Sequence, residues 1–203
     1  MLRLVATAGL RERKKEKTRQ ALVRSALRQF ARRGFDGVTI EDIAGACDVS
    51  PRTFFRYFGS KEDVLFSDAD AQRAHLMGVL AAQPAHVPPL RALRAAVLEV
   101  AADYEAQRDA ILLRHRIVSA TPTLGSRVAE RHHCWESAVI TELRRSGRGD
   151  GMPELTLRLS VAAATTALRV ATELWVEGGG EGDLRVLLAT ALDKLRTGLE
   201  GEG

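Results

Sequence analysis

Apolar residues recur along this 203-residue chain at the three- and four-residue spacing of helices. Over residues 18–33, Ala21, Leu22, Ala26, Leu27 and Phe30 form one stripe, and Gly34 offers the left-handed stop that ends a helix. Ile40, Ile43, Ala44 and Cys47 mark a second, short helix, and Phe54 with Phe58 the inward face of a third. Local chemistry agrees with these limits. Thr39 and Asp42 have the spacing of a capping box, Ser50 can cap a helix that Pro51 opens, and Ser60 with Asp63 can start a fourth. That fourth helix is expected to run unbroken through Val64, Leu65, Leu76 and Leu80 until the prolines at 84, 88 and 89 stop it.

The pattern resumes over 90–107, bends near Arg108 and continues to Thr121-Pro122. A long amphipathic helix over 123–145 carries Leu124, Val128, Trp135, Val139 and Leu143, and the loop 146–151 follows. Residues 153–177 are apolar around most of a helical circumference. After a glycine-rich turn expected to be flexible, Leu184, Leu187, Leu188, Ala191, Leu192, Leu195 and Leu199 stripe a final helix. Both of these last helices carry more apolar surface than one neighbour covers, so each is expected to pair with its copy in a homodimer. The fold class is all-α.

Charge adds a direction. Residues 1–63 hold 14 Lys and Arg against 8 Asp and Glu, whereas the remainder holds 16 against 18. Basic charge gathered at one end marks a polyanion binder. Residues 1–17 are read as a flexible basic arm in which Arg11, Arg13, Lys14 and Lys15 could follow phosphates. On the third helix Arg52, Thr53, Arg56 and Tyr57 are left facing outward, a set suited to base edges and phosphates of a major groove. Two distant cysteines, Cys47 and Cys134, make no disulfide framework, no apolar run reaches the length of a membrane span, and the start lacks a secretory signal; the cytoplasm is the expected location. Neighbouring His132, His133 and Cys134 point about 100° apart on a helix and cannot surround one metal. No nucleophile triad, phosphate loop or paired carboxylates stand out, so neither enzymatic activity nor a cofactor is expected. The Arg148-Gly149-Asp150 tripeptide is read as turn chemistry.

The stretch VSPRTFFRYFGSKEDVLF (residues 49–66) resembles the signature of the TetR family of one-component regulators, and the likeness extends over roughly residues 15–66. Many relatives have tyrosine where this chain has Phe55, which replaces a phosphate contact by contact with sugar or a thymine methyl. The resemblance implies a helix-turn-helix DNA-binding domain at 18–62 and an effector-binding and dimerisation domain at 63–203. It also implies that Lys61 holds a DNA phosphate at a helix N-terminus. Expected DNA-binding residues are Thr39, Ser50, Pro51, Arg52, Thr53, Phe55, Arg56, Tyr57 and Lys61, acting on a near-palindromic duplex operator. The segment RHRIVSATPTLGSR (residues 114–127) resembles the TetR-type branch that includes the mycofactocin-system regulators, implying an acyl-CoA-like effector. Candidate effector residues are Arg114, His115, Arg131, Trp135, Thr165, Leu168 and Trp175, with a small molecule releasing a repressor from its operator. An activator of the same fold, or a helical small-molecule-binding protein without operator specificity, is the alternative.

Overall fold

The computed structural model describes residues 2–84 and 86–198, and among them it holds ten α-helices and no strand. They are α1 (Leu2–Arg33), α2 (Ile40–Gly45), α3 (Pro51–Phe55), α4 (Lys61–Leu65), α5 (Ala69–Ala82), α6 (Pro89–Ala106), α7 (Arg108–Ser119), α8 (Gly125–Arg145), α9 (Glu154–Glu177) and α10 (Leu184–Thr197), with a 3-10 turn at Pro122–Leu124. Leu199 of the expected last stripe and the side chain of Arg11 lie outside the described residues.

Two compact units form, Met1–Ser67 with Leu113–Leu124, and Asp68–Leu112 with Gly125–Gly203. The first unit therefore reaches past residue 62 and takes in a segment from the middle of the chain. Its core explains why: Leu22, Ala26, Phe30, Phe35, Ile43, Phe54, Phe58, Val64 and Leu65 are joined by Ile117 and Leu124, which are buried with them. Ile40 and Val49 pack at the edge of this cluster. The aromatic rings interlock, Phe30 with Phe35 at 4.9 Å between centroids and Phe54 with Phe58 at 5.6 Å.

Two helix limits differ from expectation. The segment read as a flexible arm continues α1 back to Leu2. Its Arg, Lys, Glu and Ala residues are good helix formers, and pairs such as Lys15 with Glu12 and Gln20 with Glu16 lie one turn apart. The helix expected to run from Ser60 to residue 82 is interrupted at 66–68 and forms α4 and α5 instead. Among the interactions there, side chains from elsewhere take carbonyls that a continuous helix would use: Arg114 Nε donates to Leu65 O at 2.7 Å and Arg19 Nη2 to Ser67 O at 2.5 Å.

The second unit is built differently. Leu76, Leu80, Leu93, Val97, Val100, Val139, Leu143, Leu157, Val161, Leu168, Trp175, Leu184 and Leu188 make an almost entirely aliphatic core. Arginines tie its loops to it. The turn at 178–182 is ordered by hydrogen bonds, against the flexibility expected of its glycines. Arg108 Nε donates to Gly180 O at 2.9 Å and its Nη2 to Gly179 O at 2.6 Å, while the Trp175 indole N–H donates to Gly182 O at 3.2 Å. Gly180 has φ +72°, and a Cβ there would stand 2.8 Å from Arg108 Nε, so both the conformation and the close approach call for glycine. In the loop 146–151, Arg148 is buried and its Nη2 donates to Gln83 O at the end of α5.

Candidate nucleic-acid interface

Both short helices of the helix-turn-helix are fastened at their N-termini by their own residues. Asp42 N–H donates to Thr39 Oγ1 at 3.1 Å and Thr39 N–H to Asp42 Oδ2 at 2.9 Å, closing the capping box of α2. The Thr39 backbone N–H, together with Arg33 at 3.1 Å, holds the Asp42 carboxyl below its ordinary pKa. Thr53 N–H donates to Ser50 Oγ at 3.2 Å, and Pro51 fills the first turn of α3, where no N–H is needed. Between the helices Asp48 adopts φ +53°, a conformation that Asp tolerates better than most residues, while Val49 N–H donates to Ala44 O. This left-handed residue sets the tight turn.

With Phe54 and Phe58 committed to the core, α3 turns Arg52, Phe55 and Arg56 to solvent. Phe55 is 55% exposed, a large apolar ring placed among cations. Arg56 lies over the Tyr57 ring at 5.1 Å and its Nη2 donates to Tyr57 Oη at 3.3 Å, so the two side chains present one preorganised surface. The Ser50 and Thr53 hydroxyls are 3.1 Å apart. Thr39 is exposed, and Ser50, Pro51, Thr53 and Tyr57 stand around the same helix. Lys61 is more committed than its sequence position implied. Its Nζ donates to Phe35 O at 3.0 Å and Val38 O at 3.3 Å and sits 4.3 Å from the Phe35 ring centroid, holding the loop that leads into Thr39. Ser60 Oγ still caps α4 through the Asp63 N–H at 3.2 Å.

The candidate effector residues fall in both units. Arg114 and His115 belong to the Leu113–Leu124 segment of the first, Arg114 bound to Leu65 O and His115 Nδ1 at 3.2 Å from Ser119 Oγ. The other five belong to the second unit. Thr165 donates to Glu136 Oε1 at 3.0 Å, Trp135 packs half-buried on the aliphatic core, Leu168 and Trp175 lie within it, and Arg131 is half-buried on α8. Residues that pattern reading passed over include Arg19, Arg108 and Arg148. Nothing in their local spacing marks carbonyl partners 48 to 72 residues away.

Residues 22–67 match the family model of bacterial regulatory proteins, tetR family, and residues 87–200 that of the MftR C-terminal domain. The transcriptional regulator TcmR of Streptomyces glaucescens is 32% identical over 93% of this chain and 87% of its own. The Mycobacterium tuberculosis protein MftR, named for regulation of mycofactocin biosynthesis, is 28% identical over 86% of this chain and 87% of its own. In fold, the chain is similar to the crystal structure of Thermus thermophilus FadR in complex with lauroyl-CoA, with a TM-score of 0.59 and 21% identity, covering 91% and 96% of the two chains. No helix among the described residues is long and apolar enough to cross a membrane. With its front residues matching one domain model and most of the remainder another, the chain belongs to the tetR family of bacterial regulatory proteins: it is a helix-turn-helix transcriptional regulator and not an enzyme.

Proposed function

We propose that this regulator is a homodimeric repressor that places two copies of α3 in successive major grooves of a near-palindromic operator, about 34 Å apart. The observation that carries this reading is the division of α3 into a wholly buried Phe54 and an exposed face of Arg52, Phe55 and Arg56. Arg52 reads a guanine through its O6 and N7 atoms, the arrangement that gives arginine its selectivity. Arg56 and Tyr57, together with Ser50, Pro51 and Thr53 at the helix start, contact backbone and neighbouring bases, and Phe55 packs on sugar or a thymine methyl. Thr39 and Lys61 flank the reader. Lys61 serves by fixing residues 35–38.

Pairing through α9 and α10 is supported by the large apolar side chains they leave in water. Leu159 is 59% exposed, Leu174 53%, Val186 61% and Leu195 40%. On α9, Leu155, Leu159, Val170 and Leu174 are separated by close to whole helical turns and so share one side. The effector is a hydrophobic anion of the acyl-CoA type, received in the second unit near Arg131, Trp135, Thr165, Leu168 and Trp175, with Arg114 and His115 on α7 answering its arrival. The solved FadR complex with lauroyl-CoA supports this class of ligand for a chain of this fold. Release requires that the ligand prefer the conformation that cannot span both grooves, since equal affinity for both states shifts nothing.

The test is selection of duplexes from a random pool by the wild-type protein, followed by binding of Arg52→Ala. A loss of about 1–3 kcal/mol and relaxed preference at one position per half-site are expected. Unchanged affinity and preference would overturn the assignment of the reader.

A further inference from the structure

Among the described residues, two buried side-chain nitrogens find no acceptor, Arg148 Nε and Gln72 Nε2. Arg148 keeps another N–H on Gln83 O, whereas the Gln72 amide nitrogen is bound through neither of its N–H groups. Gln72 is 9% exposed and stands on the core-facing stripe of α5 with Leu76 and Leu80, four and eight residues further on, where an apolar side chain would be due. Its amide oxygen accepts from the Tyr104 hydroxyl of α6 at 3.4 Å, and one turn away His75 Nε2 lies 3.5 Å from Asp103 Oδ2. The first of these contacts commits the oxygen to α6 and leaves the N–H2 end buried and unmet. All four residues belong to the second unit. A buried donor without an acceptor costs stability, and folded proteins break such local rules chiefly where function uses the group.

The position of Gln72 along α5 places it beside the candidate effector residues. Arg148, three residues past the end of α8, donates to Gln83 O at the end of α5, and α5 packs against α8, so the two helices end side by side. Counting back eleven residues from Gln83 reaches Gln72, about 16 Å away at the rise of a helix, and a similar count back from the end of α8 reaches Trp135. The unmet amide is thus level with Trp135, which packs on the same aliphatic core.

We propose that Gln72 touches the effector and determines its specificity: the amide N–H2 donates to an acceptor oxygen carried beside the apolar part of the ligand. An aliphatic site with one fixed donor favours the molecule whose own oxygen falls opposite it, because an analogue without that oxygen leaves the donor unmet. On an acyl-CoA the acceptor that adjoins the hydrocarbon chain is the thioester carbonyl. The inference rests on the effector reading above for the class of ligand, and on the buried amide for the residue.

Thermal unfolding and equilibrium binding of the full-length protein test this with lauroyl-CoA and with S-dodecyl-CoA, the thioether that lacks the carbonyl. The wild type should bind lauroyl-CoA about tenfold or more tightly than the thioether. Gln72→Met, which keeps the length of the side chain and removes the amide, should bind the two alike, with lauroyl-CoA weakened by about tenfold or more. Without ligand, the thermal midpoint of Gln72→Met should rise by about 2–4 °C, the mark of a buried donor that nothing in the protein satisfies. A lower midpoint in Gln72→Met and Gln72→Leu alike would make Gln72 a structural residue and overturn the proposal. Equal affinity of the wild type for the two compounds, or unchanged affinity and preference in Gln72→Met, would overturn it as well. A wild type that binds neither compound would sink the acyl-CoA class of effector, and the direction of the midpoint would then decide Gln72.

Discussion

The two units of this regulator solve the problem of stability in different ways. The first is small, aromatic and locally written: interlocked phenylalanines, three side-chain caps and a left-handed Asp48 define short helices that could hardly be placed otherwise. The second is aliphatic and long-helical, takes its loops in hand with arginines that reach distant carbonyls, and leaves leucines of α9 and α10 in water. A reader of DNA must hold a few side chains at fixed positions. A sensor that dimerises must keep apolar surface available for another chain.

The largest effect that would break this comparison is in the aromatic core. Phe54→Ala should cost about 3–5 kcal/mol, and urea unfolding followed by amide exchange should show the first unit opening while α9 and α10 stay protected. Equal loss of protection in both units would mean they are one cooperative body. Next, Leu159→Glu combined with Leu174→Glu should leave the first unit folded and shift dimerisation at least about 100-fold, roughly 2.7 kcal/mol, as sedimentation over a range of concentrations will report. An unaltered dimer would place the pairing surface elsewhere.

Lys61 sharpens the comparison within the first unit. Because its ammonium is spent on Phe35 O and Val38 O, Lys61→Met should lower operator affinity by a similar factor at every salt concentration and lower thermal stability as well. Were Lys61 chiefly a phosphate ligand, the slope of log affinity against log salt would fall by about 0.9 for each charge removed. The smallest effect concerns Asp42. Its pKa is depressed in the folded state, so its contribution is fully present above the unfolded carboxyl value and disappears as pH falls through the lower, folded value. Carboxyl titration by NMR should find Asp42 titrating below an ordinary aspartate, and Arg33→Met, which removes the guanidinium 3.1 Å away, should raise it part of the way back towards that value.

Legibility followed distance along the chain. Thr39 with Asp42, Ser50 with Thr53 and Ser60 with Asp63 act over three residues, and each cap is found where spacing placed it. Arg52 and Arg56 of the outward set on α3 followed from the same periodicity once Phe54 and Phe58 were assigned inward, but Thr53 and Tyr57 are half-buried, Tyr57 packing on the aromatic core, and Phe55 takes an exposed place instead. The candidate effector set is divided, with Arg114 and His115 in one unit and the remaining five residues in the other, a division that spacing could not give, because it says which face of a helix a residue shares and nothing about which body that face joins.

What the amino-acid order determined by itself was therefore the kind of molecule: all helices, a capped helix-turn-helix with a cationic face, and a closing pair of helices with surplus apolar surface. Those properties depend on neighbours within a turn or two, where propensity, capping and periodicity act. Only the tertiary structure decided that Leu113–Leu124 joins the first unit, that Lys61 points back to a loop 23 and 26 residues earlier, and that Arg19 and Arg114 donate to carbonyls beside the break between α4 and α5. A long cationic side chain can reach any carbonyl that folding brings within hydrogen-bonding range, and its sequence neighbours carry no record of which one that is.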